Sequence, residues 1–182
     1  MNDWEFYILI ILMLFVAFMF NAGCNGASLF QRLSSYTTFA KVSDKELHEF
    51  YDDMGRDGYL FATIIHLQTY MNKNLKYRPD NIADFSRSPN VTLLMGEGDC
   101  DDYAFLAVSC LNYLGYKQAV MVSVFNDKGA GHSYCYCDGY NLGNWGFFKF
   151  ESIVKSNNHY IADWTHYIVR DEHLNIVEEH KK

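Results

Sequence analysis

Cys100 lies in the run Gly96-Glu97-Gly98-Asp99-Cys100-Asp101-Asp102-Tyr103-Ala104, between a glycine-bracketed turn and an apolar stretch that keeps helical spacing to Leu114. A thiol so placed has the makings of a nucleophile. Cysteine attacks as the thiolate, and the unpaired N–H groups and dipole of a helix start favour negative charge there. The same N–H groups can receive the oxyanion of an acyl-transfer intermediate. Asp99, Asp101 and Asp102 oppose a thiolate unless they point away or pair elsewhere, and they suit helix caps and first-turn dipole partners better than catalysis. The cysteine therefore needs an imidazole, and a cationic one would help most. His132 fits, because it follows the turn Gly129-Ala130-Gly131 and opens a strand from which its ring can be aimed. A third group should hold that ring. Asn144, at the start of the next strand, is the first choice, with Asn141 and Asp138 as alternatives. No CxxC or HExxH spacing is present, so neither a metal site nor a cofactor is expected.

The elements that must position these groups can be read from periodicity. Ser43-Asp44-Lys45-Glu46 has the spacing of a capping box and predicts a helix through about Asp53. After Gly55 and Gly58, apolar residues from Leu60 to Met71 recur at helical spacing and predict a second, amphipathic helix over Tyr59 to Asn74. Residues 81–98, with Pro89 and two late glycines, read as a loop delivering the chain to Cys100. Tyr103 to Leu114 then predicts a central buried helix closed by Gly115. Beyond it the period becomes two. Ala119 to Phe125 and His132 to Asp138 predict an antiparallel hairpin, with His132, Tyr134 and Tyr136 on one face and Ser133, Cys135 and Cys137 on the other. Strands near Trp145 to Phe150 and Tyr160 to Arg170 extend the sheet, and residues 173–182 read as a polar, solvated tail.

The 182-residue chain, 49% hydrophobic and 17% aromatic, can bury enough apolar surface for one ordered domain, placed here at residues 43–172. Its net charge of -7 offers no basic stripe to a phosphate backbone, so no nucleic-acid partner is expected. Phe6 to Phe20 is an unbroken apolar run inside a hydrophobic segment, residues 1–24, and residues 25–42 read as a tether. The run predicts a single-pass membrane helix, with membrane contact through residues 6–23. The Ala22-Gly23-Cys24 ending offers a lipoprotein signal instead. The five cysteines form no disulfide framework, and Cys110, Cys135 and Cys137 read as small buried hydrophobes.

Taken in order, Tyr70-Met71-Asn72-Lys73-Asn74-Leu75-Lys76-Tyr77-Arg78-Pro79-Asp80, a Pro-containing loop, GEGDCDDYA and GHSYCYCDG resemble the transglutaminase-like superfamily, in particular its bacterial cysteine-proteinase branch, over about residues 60 to 150. The resemblance implies an α+β, papain-like core: N-terminal helices and a central buried helix packed on an antiparallel sheet. It also implies Cys100 as nucleophile, His132 as base, and cleavage or transfer at peptide or isopeptide amides. Where that family usually has an aspartate as third member, this chain offers Gly143-Asn144. Two functions follow. One is a membrane-tethered thiol hydrolase or acyltransferase on a peptide or protein substrate, cell-wall peptides included. The other is a catalytically impaired binding or assembly module of the same fold.

Overall fold

The computed structural model describes residues 44–79 and 86–182; the apolar run 6–20, Cys24, the tether 25–42 and the Ser43 cap lie outside them. Two helices open the described chain, α1 over Asp44–Met54 and α2 over Leu60–Asn74. Helix α1 matches the span expected from the capping-box spacing, and α2 follows the apolar period seen in the sequence. The chain leaves α2 through the two-residue strand β1 (Lys76–Tyr77), passes a short helix α3 (Pro89–Met95), and pairs β2 (Glu97–Gly98) in parallel with β1. Helix α3 is a departure from the predicted loop. Pro89 and Gly96 were read as loop punctuation, but they bracket the helix: proline fills its first position, and Gly96 ends it in the left-handed region at φ 61°.

Helix α4 (Cys100–Tyr113) begins immediately after β2. It is followed by β3 (Val120–Phe125), β4 (Gly131–Cys137), β5 (Tyr140–Gly143), β6 (Gly146–Lys149), helix α5 (Ile153–Tyr160), β7 (His166–Arg170) and β8 (Ile176–Lys181). The six long strands form one antiparallel sheet in the order β6-β5-β4-β3-β7-β8. The strand predicted over Tyr160 to Arg170 is shorter than expected, because Ser152 caps a helix that runs through Tyr160. The tail read as solvated is strand β8. Its six side chains are exposed, which explains the polar composition, while its backbone ladders onto β7.

Register divides the sheet into two faces. Cys135, Cys137, Met121 and Leu142 point to the side on which α1, α2 and α4 pack, in a core with Leu67, Met71, Leu106 and Leu111. Val122, Val124 and Tyr134 point to the other side, where Tyr160, Ile161 and Trp164 cover them. Cys110, Cys135 and Cys137 are fully buried, as expected of small apolar residues. No helix among the described residues is long and apolar enough to cross a membrane.

One ion pair fixes the start of α4. The Arg87 guanidinium lies 3.0 Å from Asp102 Oδ2, both side chains being almost fully buried. The Arg87 backbone N–H donates to Asp102 Oδ1 at 2.6 Å, and the Asp99 N–H donates to Asp102 Oδ2 at 3.2 Å. Asp99 and Asp102 thus form a reciprocal capping box, as their helix-cap reading implied. Gly98 makes the fit possible, since a Cβ there would stand 2.7 Å from Asp102 Cβ and Oδ2. Removing one partner of such a pair strands a buried charge. Asp102→Ala is therefore expected to cost about 3–5 kcal/mol in denaturant unfolding. Glu97→Gln, which breaks the more exposed Arg78–Glu97 pair, should cost less than about 1 kcal/mol. Equal losses in the two variants would refute the assignment of Asp102 as the anchor.

Candidate active site

Cys100 is the first residue of α4, part-exposed, with Asp99 as N-cap and Asp101 and Asp102 in the first turn. The β1–β2 pair sets this position: Lys76 N–H donates to Gly96 O and Arg78 N–H to Gly98 O, each at 2.8 Å, pinning the turn before the cysteine to the exit of α2. Asp102 is turned inward onto Arg87. Burial raises its carboxyl to about 6 despite the guanidinium and the two amide donors, so it is ionised at neutral pH. Asp101 accepts from Ser86 Oγ at 2.5 Å. The phenol of Tyr77 is pushed up by its partial burial and by the charges of Cys100, Asp99 and Asp101.

His132 is the second residue of β4 and lies opposite Val124 of β3. Its ring is on the α5 side of the sheet, stacked on Tyr160 with centroids 4.5 Å apart and covered by Trp145 at 4.4 Å. Cys135 and Cys137 face away from it, as the strand period predicted. Helix α4 packs on the opposite face. Asp101, next to Cys100, lines a cavity on the α4 face with Ser133, next to His132, while the imidazole itself is held on the other face. Burial, with His159 as a like-charged neighbour, lowers the His132 imidazole to about 4. The ring is neutral at pH 7, so the cationic imidazole expected from the sequence is not the resting form. A neutral imidazole can still accept a proton during attack.

The orienting candidates divide by position. Asn144 sits in the turn between β5 and β6, beside Trp145. Its Oδ1 and His132 Nε2 are both buried without hydrogen-bond partners, so those two atoms are not joined in this state. Asn141 is fully buried on the same sheet face as His132, with its Oδ1 accepting from Ser156 Oγ at 3.2 Å. Asp138 occupies the β4–β5 turn six residues from His132, roughly 20 Å along an extended strand.

The sequence pointed to none of Arg87, Tyr160 or Gln68. Gln68 of α2 donates to Gly143 O at 3.0 Å and to Asn72 Oδ1 at 2.9 Å, tying the Trp145 turn to the helices. A polar residue on the buried stripe of an amphipathic helix is the signal that could have singled it out.

The lowered imidazole has a thermodynamic consequence. Between pH 6.5 and about 4 the unfolded chain binds a proton that the folded chain does not, so stability falls as pH drops through that window. Asp102 acts in the opposite sense between 3.8 and about 6, and the contribution of His132 must therefore be read as a difference between variants. The parent should lose roughly 2 kcal/mol more than His132→Phe between pH 7.5 and pH 5 in urea unfolding. Identical losses would show that His132 is not held neutral.

Residues 51–167 match the family described as the transglutaminase-like superfamily, a span that runs from α1 into β7 and includes Cys100, His132 and Asn144. The chain is also similar to the solved structure of a candidate cysteine protease from Cytophaga hutchinsonii, at 15% identity and a TM-score of 0.42, over 77% of this chain and 50% of that one. The chain thus spans about half the length of that protein. No curated protein matches it in sequence. On a family match covering well over half of its length, the chain belongs to the transglutaminase-like superfamily.

Proposed function

We propose that this protein is a thiol hydrolase or acyltransferase acting on peptide or isopeptide amides, with Cys100 as nucleophile and His132 as base. The observation that carries the reading is the anchored helix start: Cys100 opens α4, and the Asp102 carboxylate in its first turn is drawn away to Arg87. In the proposed cycle the His132 ring turns out of its slot on the α5 face toward the sheet end nearest Cys100 and takes the proton from the sulfur as it attacks the substrate carbonyl. Backbone N–H groups of the first turn of α4 receive the oxyanion. The C–N bond breaks, the amine leaves with the proton from His132, and water attacks the thioester to release the acid and regenerate the thiol. An amine in place of water gives a crosslink. Because His132 and Asn144 are unjoined in the described state, Asn144 acts in this scheme once the ring has turned out of its slot between Trp145 and Tyr160. A membrane anchor at residues 6–23, single-pass or lipoprotein, would hold the domain at a bilayer.

A second reading, a binding or assembly module at a membrane, is favoured by the same aromatic slot. A buried, stacked and neutral His132 beside Gly143-Asn144 is a geometry that a non-catalytic descendant could keep for packing alone.

Alkylation with iodoacetamide at pH 7 separates the two. Cys100 should react well ahead of Cys110, Cys135 and Cys137, whose burial raises their thiols. In His132→Ala, amide cleavage should fall by about 10²-fold or more. A Cys100 that alkylates only at alkaline pH, at a rate indifferent to His132→Ala, would leave the assembly module standing and remove the enzyme.

A further inference from the structure

Beside the start of α4 the α4 face of the sheet holds a cavity of about 140 Å³, lined by Ser86, Asp101, Ser123, Ser133, Arg170 and apolar neighbours that include Met121. Of its polar groups Asp101, Ser123 and Ser133 are buried, and Ser86 and Arg170 are half-buried. Ser123 and Ser133, directly opposite each other on β3 and β4, are bonded Oγ to Oγ at 2.9 Å. Arg170 Nη1 donates to Ser123 Oγ at 3.1 Å. That is the arginine's one side-chain bond among the described residues, and it has no ion pair there. Asp101, 5% exposed, accepts from Ser86 through Oδ2, while its Oδ1 is buried with no partner. Arg170 and Asp101 therefore face one cavity without pairing with each other. A half-buried guanidinium lacking an anion and a buried carboxylate oxygen lacking a donor are both costly, and one ligand can answer both.

We propose that this cavity binds the free α-carboxylate of a peptide, making the proposed hydrolase selective for releasing a small C-terminal residue. The inference rests on the thiol acyl-transfer reading and adds its substrate class. The carboxylate takes the Arg170 guanidinium and the Ser133 and Ser123 hydroxyls. The adjacent N–H, that of the scissile amide, turns toward Asp101, one residue from Cys100. A lone anion would meet Asp101 as a like charge, whereas an acyl amino acid brings a donor beside its carboxylate. The volume admits a residue the size of Gly or Ala. When Cys100 forms the thioester, the C–N bond breaks and the departing amino acid takes up the proton released by the Cys100 thiol. Water then hydrolyses the thioester, and no other reactant enters.

The test is calorimetric titration of the full chain carrying Cys100→Ala, in detergent, with acetyl-alanyl-alanine and with its C-terminal amide. The acid should bind at least about tenfold more tightly than the amide, as expected for loss of a charge-assisted contact. Arg170→Met should erase the difference and Arg170→Lys keep part of it. Ser123→Ala, a milder change, should reduce it without disturbing the fold. Equal binding of acid and amide, or a preference that survives Arg170→Met, overturns the proposal. Parallel hydrolysis assays on the parent chain keep the two readings apart. Cleavage of both internal and terminal amides without preference retains the thiol mechanism and overturns the carboxylate site, while acid-selective binding without any cleavage supports the site and overturns the mechanism.

Discussion

The contact between Arg87 and Asp102 is the constraint on which the rest of the site depends. A helix start with three carboxylates around a thiol is electrostatically hostile to a thiolate unless at least one charge is compensated. Here the compensation is internal and costly to break, because neither partner has access to water. The same carboxylate caps the Asp99 amide and receives the Arg87 amide, so one side chain fixes a loop, a helix origin and a charge balance together. Gly98 follows from it as a steric requirement: the backbone before the cysteine passes where a side chain would collide with Asp102.

The sheet separates two jobs. On the α4 face lie the apolar core, the three sealed thiols and the polar cavity with Arg170. On the α5 face lie stacked aromatic rings, with His132 between Tyr160 and Trp145. A period-two strand lets one element serve both, since neighbouring residues His132 and Ser133 point to opposite sides. The imidazole thereby gains an aromatic slot that lowers its proton affinity, while its neighbour helps to line the small polar cavity near the helix start.

Legibility followed the kind of signal each feature carries. Helix α2, the central helix and the β3–β4 hairpin were readable because their apolar periods are strong, and α1 because its capping-box spacing is local. The family was readable because GEGDCDDYA and GHSYCYCDG are short and rich in chemistry. Helix α3 was missed because Pro89 and Gly96 mark loops as often as helix ends. Strand β8 was missed because an edge strand with every side chain exposed has no apolar period to display. The Arg87–Asp102 pair and the Arg170 cavity could not be read at all. Both join residues whose proximity arises from tertiary folding, and an arginine in a strand or loop looks solvated until its neighbours are known. The neutral resting state of His132 was hidden for the same reason: its pKa is set by rings from β6's turn and from α5.

The strand order also has a kinetic side. Hairpins β3–β4, β4–β5 and β5–β6 join neighbours along the chain and close with little loss of loop entropy. Strand β7 instead reaches back past three strands and a helix to pair with β3, bringing Arg170 opposite Met121. During synthesis the half of the molecule that carries the thiol and the imidazole can therefore collapse before the guanidinium arrives. Docking of β7 is the step that completes the recess, which ties its assembly to the last long-range pairing in the sheet.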